Sequence, residues 1–248
     1  MGIPLTLHPL TFLVTSHIDP EGYRHLLDAL EDLCPGIILL EVSLFSLLFR
    51  KTLGRIYRAI LAHRVKTMRL VLSPELKNAL NYLDVPCEYR AAREYSRKTC
   101  AKIILLDISR FSFLQLLHAH EIITRRNIET LSIINADRFA MEKALARRIF
   151  IEGDDALADV KARAFQKGGA QAFARFRQGG TPGDDHDRRL ATRESILAER
   201  VSSRVKKYRG RRIVYIGGWE HCIDDPKKRT LYSRIDGPKE RRIVFLEG

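Results

Sequence analysis

Arg212-Ile213-Val214-Tyr215-Ile216-Gly217-Gly218-Trp219-Glu220-His221 is the stretch from which the fold is read. Its apolar, β-branched run has the composition of a strand buried on both faces, as in parallel sheets. Two glycines follow, which let the backbone turn tightly and come close to a neighbour. Glu220 and His221 are therefore expected just past the carboxyl end of a strand, where open parallel sheets bind their ligands. Far upstream, Thr11-Phe12-Leu13-Val14-Thr15-Ser16-His17 repeats the plan: an apolar strand, small residues, then a histidine.

The segment after His17 fixes the topology. Asp19-Pro20 reads as a helix start, with Asp19 as the cap and Pro20 in the first helical position. Tyr23, Leu26, Leu27, Leu30 and Leu33 follow at helical spacing, and Pro35-Gly36 ends the helix. Ile37-Ile38-Leu39-Leu40 is a second buried strand with Glu41 directly after it. Strand, helix and strand in so short a span make a right-handed unit with parallel strands, which puts His17 and Glu41 at one end of the sheet. Lys102-Ile103-Ile104-Leu105-Leu106 is a third buried strand, ending in Asp107. Strands are thus predicted over residues 10–16, 37–40, 102–106 and 212–216, with a last one over 241–246. The fold class is α/β: a mixed, mainly parallel central sheet flanked by helices, in one domain spanning residues 1–248.

Helices are predicted over residues 44–72, from Pro74 with Ser73 as cap, over 89–100, in two pieces over 111–141, and from Thr192. The 44–72 helix carries a basic face (Arg50, Lys51, Arg55, Arg58, Arg64, Lys66). His118 and His120 stand two apart in a helical stretch, point to different sides and read as structural. Residues 168–187, rich in Gly and Asp, read as a flexible loop.

The net charge is +13 over 248 residues, which favours anionic partners. The basic runs at 204–212 and 227–229 lack interleaved aromatics apart from Tyr208, so nucleic-acid binding beyond a non-specific kind is not expected. Cys34, Cys87, Cys100 and Cys222 form no CxxC pair and read as reduced thiols of a cytoplasmic protein. The longest apolar stretch, residues 37–49, is too short and too polar for a membrane span.

Taken in order, several pieces resemble the TraB family, in the wider group with the Tiki proteases, the PrgY pheromone-control proteins and the erythromycin-esterase and ChaN-like proteins. Val14-Thr15-Ser16-His17 stands in the place of that family's first G-x-x-H motif, and Ile38-Leu39-Leu40-Glu41 in that of its strand ending in glutamate. The strand ending in Asp107 resembles its central strand. Arg193-Glu194-Ser195-Ile196-Leu197-Ala198 resembles its R-[DN]-x-x-M-A helix, and Gly218-Trp219-Glu220-His221 is a full G-x-x-H. Val14 replaces the family's first glycine, where it is expected to block close backbone approach. Glu194 and Leu197 replace Asp/Asn and Met.

The resemblance implies a divalent-metal hydrolase of peptidase type, with an erythromycin-esterase or ChaN-like sheet. His17, His221 and Glu41 would be the metal ligands, a set that leaves a position for water. Glu41 is either the third ligand or the base, and Glu220 could be the base instead. Arg193 would stabilise the developing oxyanion, and Asp107 would orient a histidine. The metal's identity stays open among Mn, Co and Zn. The implied substrate is a peptide or small molecule, and self-association is left open. The competing readings are a non-catalytic regulatory or peptide-sequestering protein on the same fold and a basic nucleic-acid-associated protein.

Overall fold

The computed structural model describes residues 10–135, 137–166 and 184–246. Five strands form one sheet: β1 (Leu10–Thr15), β2 (Ile37–Leu40), β3 (Lys102–Leu105), β4 (Ile213–Gly218) and β5 (Lys239–Ile243), in the order β3-β2-β4-β1-β5. Every pairing is parallel, a tighter result than the mixed sheet expected. The four strands read from composition lie in one sheet, and β1 runs parallel to β2. They are not neighbours, because β4 enters between them and pairs Thr11 with Val214 and Ile37 with Ile213. The carboxyl ends of β3, β2, β4 and β1 consequently line up along one edge.

The helices are α1 (Gly22–Leu33), α2 (Leu44–Phe49), α3 (Arg55–Thr67), α4 (Pro74–Leu83), α5 (Cys87–Thr99), α6 (Ser109–Leu116), α7 (Arg125–Ile133), α8 (Arg138–Phe150), α9 (Asp155–Gln166), α10 (Asp184–Lys207) and α11 (Leu231–Arg234). The alternation of side chains along each strand explains why both faces are covered. Phe12, Val14, Leu39 and Tyr215 bury into a core with residues of α8, α9 and α10. Leu13, Ile38, Leu40, Val214 and Ile216 bury into a second core with α1 and α5. Residues of α2, α3, α4 and α7 pack around a third apolar cluster of their own.

Several local expectations change. Asp19 does not cap α1 directly: Glu21 holds the cap position, while Asp19 Oδ1 accepts from the Glu21 amide at 2.9 Å and Oδ2 meets His25 Nδ1 at 2.9 Å. Ser73 caps α4 as read, accepting from the Leu76 amide. The 44–72 helix is broken by a π turn, Arg50–Gly54. Arg193 to Ala198 lie inside α10, which begins at Asp184 rather than near Thr192. That places 184–187, the end of the expected loop, in a helix; residues 168–183 lie outside the described residues. The last strand is Lys239–Ile243, and Val244–Leu246 is a 3-10 turn. Among the described residues no helix is long and apolar enough to cross a membrane, and the four cysteines are free thiols.

Candidate active site

The glycine pair works differently from a simple turn. Gly217 and Gly218 remain in β4, opposite Val14 and Thr15, and Gly218 has an ordinary extended backbone. Their value is space. A Cβ on Gly217 would overlap Glu41 Oε2 and the Tyr215 hydroxyl, and one on Gly218 would lie 3.0 Å from His17 Nε2 and 3.6 Å from His221 Cδ2. The chain then turns in a 3-10 turn, Trp219–Cys222, which buries His221 beside the sheet edge. Val14 does not obstruct this approach. Its side chain is fully buried in the core with Phe12 and Tyr215, and the close contacts fall on the glycines of the neighbouring strand.

Glu41 is the hub. Its Oε2 accepts from Tyr215 Oη at 2.9 Å and from the Gly218 amide at 3.1 Å. Its Oε1 accepts from Arg193 Nη2 at 2.8 Å and lies 2.7 Å from His221 Nε2. Burial alone would lift the pKa of this carboxyl, but the charges of His221 and Arg193 overcome it and hold Glu41 ionised, well below the usual carboxylate range. Arg193 reaches across from α10: Nε donates to Asp107 Oδ1 at 2.9 Å, and Nη1 lies 3.3 Å from His221 Nε2. Asp107 thus orients the arginine rather than a histidine. Burial opposes the guanidinium charge, and Asp107 and Glu41 more than restore it.

Each histidine is held through Nδ1 by a buried carboxylate. His221 Nδ1 donates to Glu194 Oε1 at 2.6 Å, and the other Glu194 oxygen accepts from the Leu231 amide at 2.7 Å. Burial disfavours the imidazolium, but Glu194 and Glu41 on its two nitrogens raise the His221 pKa to about 10. His17 Nδ1 donates to Glu88 Oε1 at 2.6 Å. The crowded surroundings of the His17 ring work against its charge, and the Glu88 carboxylate more than offsets this and raises the His17 pKa to about 9. The His17 side chain is 60% exposed whereas that of Glu88 is 4% exposed, so the ring stands at the mouth of the site on a buried support. Its Nε2 takes no hydrogen bond from the described residues.

Glu220 stands next door, half-buried. Among the described residues its carboxylate has no hydrogen bond or ion pair. Burial raises its pKa, and the charges of Lys161 and His221 only partly offset this; His17 and Glu142 are also within electrostatic reach. Glu142 Oε2 accepts from Ser16 Oγ at 2.8 Å and lies 3.3 Å from Trp219 Nε1, while Lys161 Nζ sits 5.3 Å from the Trp219 ring centroid. The mouth is therefore lined by His17, Glu220, Glu142, Lys161 and Trp219. The floor is Glu41, Arg193, His221, Glu194 and Asp107.

No family model, no curated protein and no solved structure gives a significant match to this chain.

The expected ligands His17, Glu41 and His221 come together, but they do not fit a metal ion as they stand. The atoms that would bind one are turned on each other: His221 Nε2 contacts Glu41 Oε1, and the fixed Arg193 guanidinium fills the space between Glu41, Asp107 and His221. An imidazole with a carboxylate at each nitrogen is held protonated, whereas a metal ligand must be neutral. Among the described residues no group of three or more His, Cys, Asp or Glu side chains is arranged to hold a metal. Arg193, saturated and buried, is also badly placed to meet a substrate oxygen. His118 and His120 stay apart from all this, His118 paired with Glu121 at 2.9 Å.

Sequence reading passed over Glu88, Glu142 and Lys161. All three come from helices, where one residue in a polar stretch carries no mark of which way it faces. Glu88 did have a signal: an acidic residue in the first turn of α5, stabilised there by the helix dipole.

Proposed function

We propose that the protein is a hydrolase that cleaves an amide or ester bond by acid–base catalysis, with His17 as the proton donor and Glu220 as the base. The observation that carries this reading is the geometry of His17. A buried glutamate locks its Nδ1 at 2.6 Å, while Nε2 is left without a partner among the described residues, on an exposed ring at the sheet edge. Glu220 is a half-buried carboxylate made more basic by its surroundings, and it feels the charge of the same ring. Water activated by Glu220 would attack the carbonyl carbon, and His17 would protonate the departing nitrogen or oxygen. Lys161, whose charge acts on Glu220, would stabilise the oxyanion. Glu41, Arg193, His221 and Glu194 form a rigid polar floor that fixes the glycine strand against which His17 rests.

The resemblance to the TraB group supports the hydrolase class and a peptide-like substrate. Its implied divalent metal has one point in favour: a carboxylate on Nδ1 is how metal-bound histidines are commonly oriented. The contacts between Arg193, His221 and Glu41 weigh against it.

A panel of peptide and ester substrates tests the reading. Turnover by the purified chain should persist in chelator and fall about 10²- to 10⁴-fold in His17→Gln. Activity that is lost in chelator and restored by Mn, Co or Zn would transfer the reading to the metal. Peptide binding without turnover of any substrate would make the chain a sequestering protein.

A further inference from the structure

From the surface outside the cleft, we infer that helices α2 and α6 form a docking face for an anionic lipid bilayer. Both helices spring from the edge that carries the site, α2 three residues after Glu41 and α6 two residues after Asp107. They lie side by side: the Phe45 and Phe113 rings meet edge to face at 5.5 Å between centroids, and the Phe45 amide lies 3.4 Å from Ser109 Oγ. Their outer surface is apolar and exposed. Leu44 and Leu48, one turn apart on α2, are 60% and 55% exposed; Phe113 on α6 and Leu117, the residue that caps it one turn on, are 45% and 48% exposed. The face continues through Leu53 and Ile56, also exposed. The steps 44, 48, 53 and 56 stay on one side of the rod because the extra residue of the π turn absorbs the step of five. Contiguous apolar surface of this kind on a folded chain marks a place where something binds.

Charge identifies the occupant. Every aspartate, glutamate, lysine or arginine from residue 42 to 74 is a lysine or arginine, and from 108 to 120 the same holds, Arg110 being the one such residue. Lys51 and Arg55 follow Leu48 on the rod, and Arg110 sits one turn before Phe113; all three are exposed. Asp84 reaches this rod only farther along, where it pairs with Arg58 at 3.2 Å. Apolar side chains flanked along both helices by cations are complementary to acyl chains beneath anionic headgroups. A nucleic acid would use the cations but has little use for leucine and isoleucine, which offer bases nothing to stack on.

Sedimentation of the full chain with phosphatidylcholine vesicles, with and without phosphatidylserine, reads this directly. Binding is expected with phosphatidylserine only, and to weaken as salt rises. Leu44→Ser with Leu48→Ser should lower partitioning at least about tenfold, and Lys51→Glu, Arg55→Glu and Arg110→Glu by about fivefold for each charge. These side chains are exposed, so thermal melts should match the parent. The same reversal at Lys206, Lys207 and Arg209 should leave partitioning nearly unchanged. Equal losses from both charge reversals would reduce the effect to net charge and overturn the proposal. So would vesicle binding untouched by the leucine changes, tighter binding to duplex DNA that survives them, or a dimer in sedimentation velocity that Leu48→Ser dissolves without any vesicle binding.

Discussion

His17 and Glu88 titrate as a pair, and the direction of each shift sets what pH should do. Glu88 lifts the His17 pKa from 6.5 to about 9, so the stability this pair contributes is fully present below the unfolded histidine value and is lost as pH rises through about 9. Burial would raise the Glu88 carboxyl, but His17 holds it below the ordinary carboxylate value, so its share is present above that value and fades as pH falls. Between these limits the acid is protonated and Glu220 is ionised. The rate profile of kcat/KM is therefore expected to be bell-shaped, its alkaline limb set by His17 near 9 and its acid limb by Glu220, above the ordinary carboxylate value. Glu88→Gln should draw the alkaline limb toward neutrality and move the imidazole titration, followed by NMR, the same way. An unmoved imidazole titration would mean that Glu88 does not govern His17. Glu220→Gln should abolish the acid limb together with most of the turnover, while binding of substrate persists. A Glu220→Gln enzyme with the parent's acid limb would assign the base elsewhere.

At the scale of the element, β4 is held by what its glycines leave out. A methyl group on Gly217 runs into both Glu41 and the Tyr215 hydroxyl, each fixed by its own buried bonds, so neither can give way cheaply. Gly217→Ala is expected to cost about 1–3 kcal/mol in urea unfolding. On Gly218 the nearest atom is the exposed His17 ring, which can tilt aside. Gly218→Ala should therefore leave stability nearly intact and lower kcat; the reverse order of the two effects would refute this account of the strand. The strands were legible because parallel strands leave uninterrupted apolar runs, and the residue soon after such a run, whether His17, Glu41 or Asp107, has one place to go; β3, read as buried, lies at the sheet edge and is only partly covered. The glycines were legible as a close approach but not as a continuation of the strand. Strand order was not legible, since β4 enters between β1 and β2 from far along the chain and no local pattern carries that pairing. The carboxylates on the imidazoles escaped for a related reason. Glu88 and Glu194 belong to helices whose rotation about their axes is settled by packing, and Glu194, one methylene longer than the Asp or Asn of the resemblance, reaches both His221 and the Leu231 amide.

Across the whole molecule, Arg193 ties the helical layer to the sheet. One guanidinium on α10 joins Asp107 just past the end of β3, Glu41 at the end of β2 and His221 in the turn after β4, the side chains all shielded from solvent. Desolvating so many charges is expensive, and replacing such a cluster by apolar residues often costs nothing, so its presence does not by itself explain stability. Removing one member is a different matter, because Asp107 then loses its guanidinium partner and Glu41 keeps only the His221 imidazolium. Arg193→Met is accordingly expected to lose about 3–5 kcal/mol at neutral pH. The sign of its pH dependence follows from Glu41. In the parent Glu41 is held below its unfolded pKa, so it stabilises the fold above the ordinary carboxylate range and loses that contribution in acid. Without the guanidinium its folded pKa climbs, and protonation then relieves the variant where it weakens the parent. The stability gap between the two should therefore narrow as pH is lowered from 8 toward 5, measured by urea unfolding at each pH. A gap that stays constant over that range, or one below about 1 kcal/mol throughout, would mean that the guanidinium is a bystander and that the sheet edge holds its carboxylates by other means.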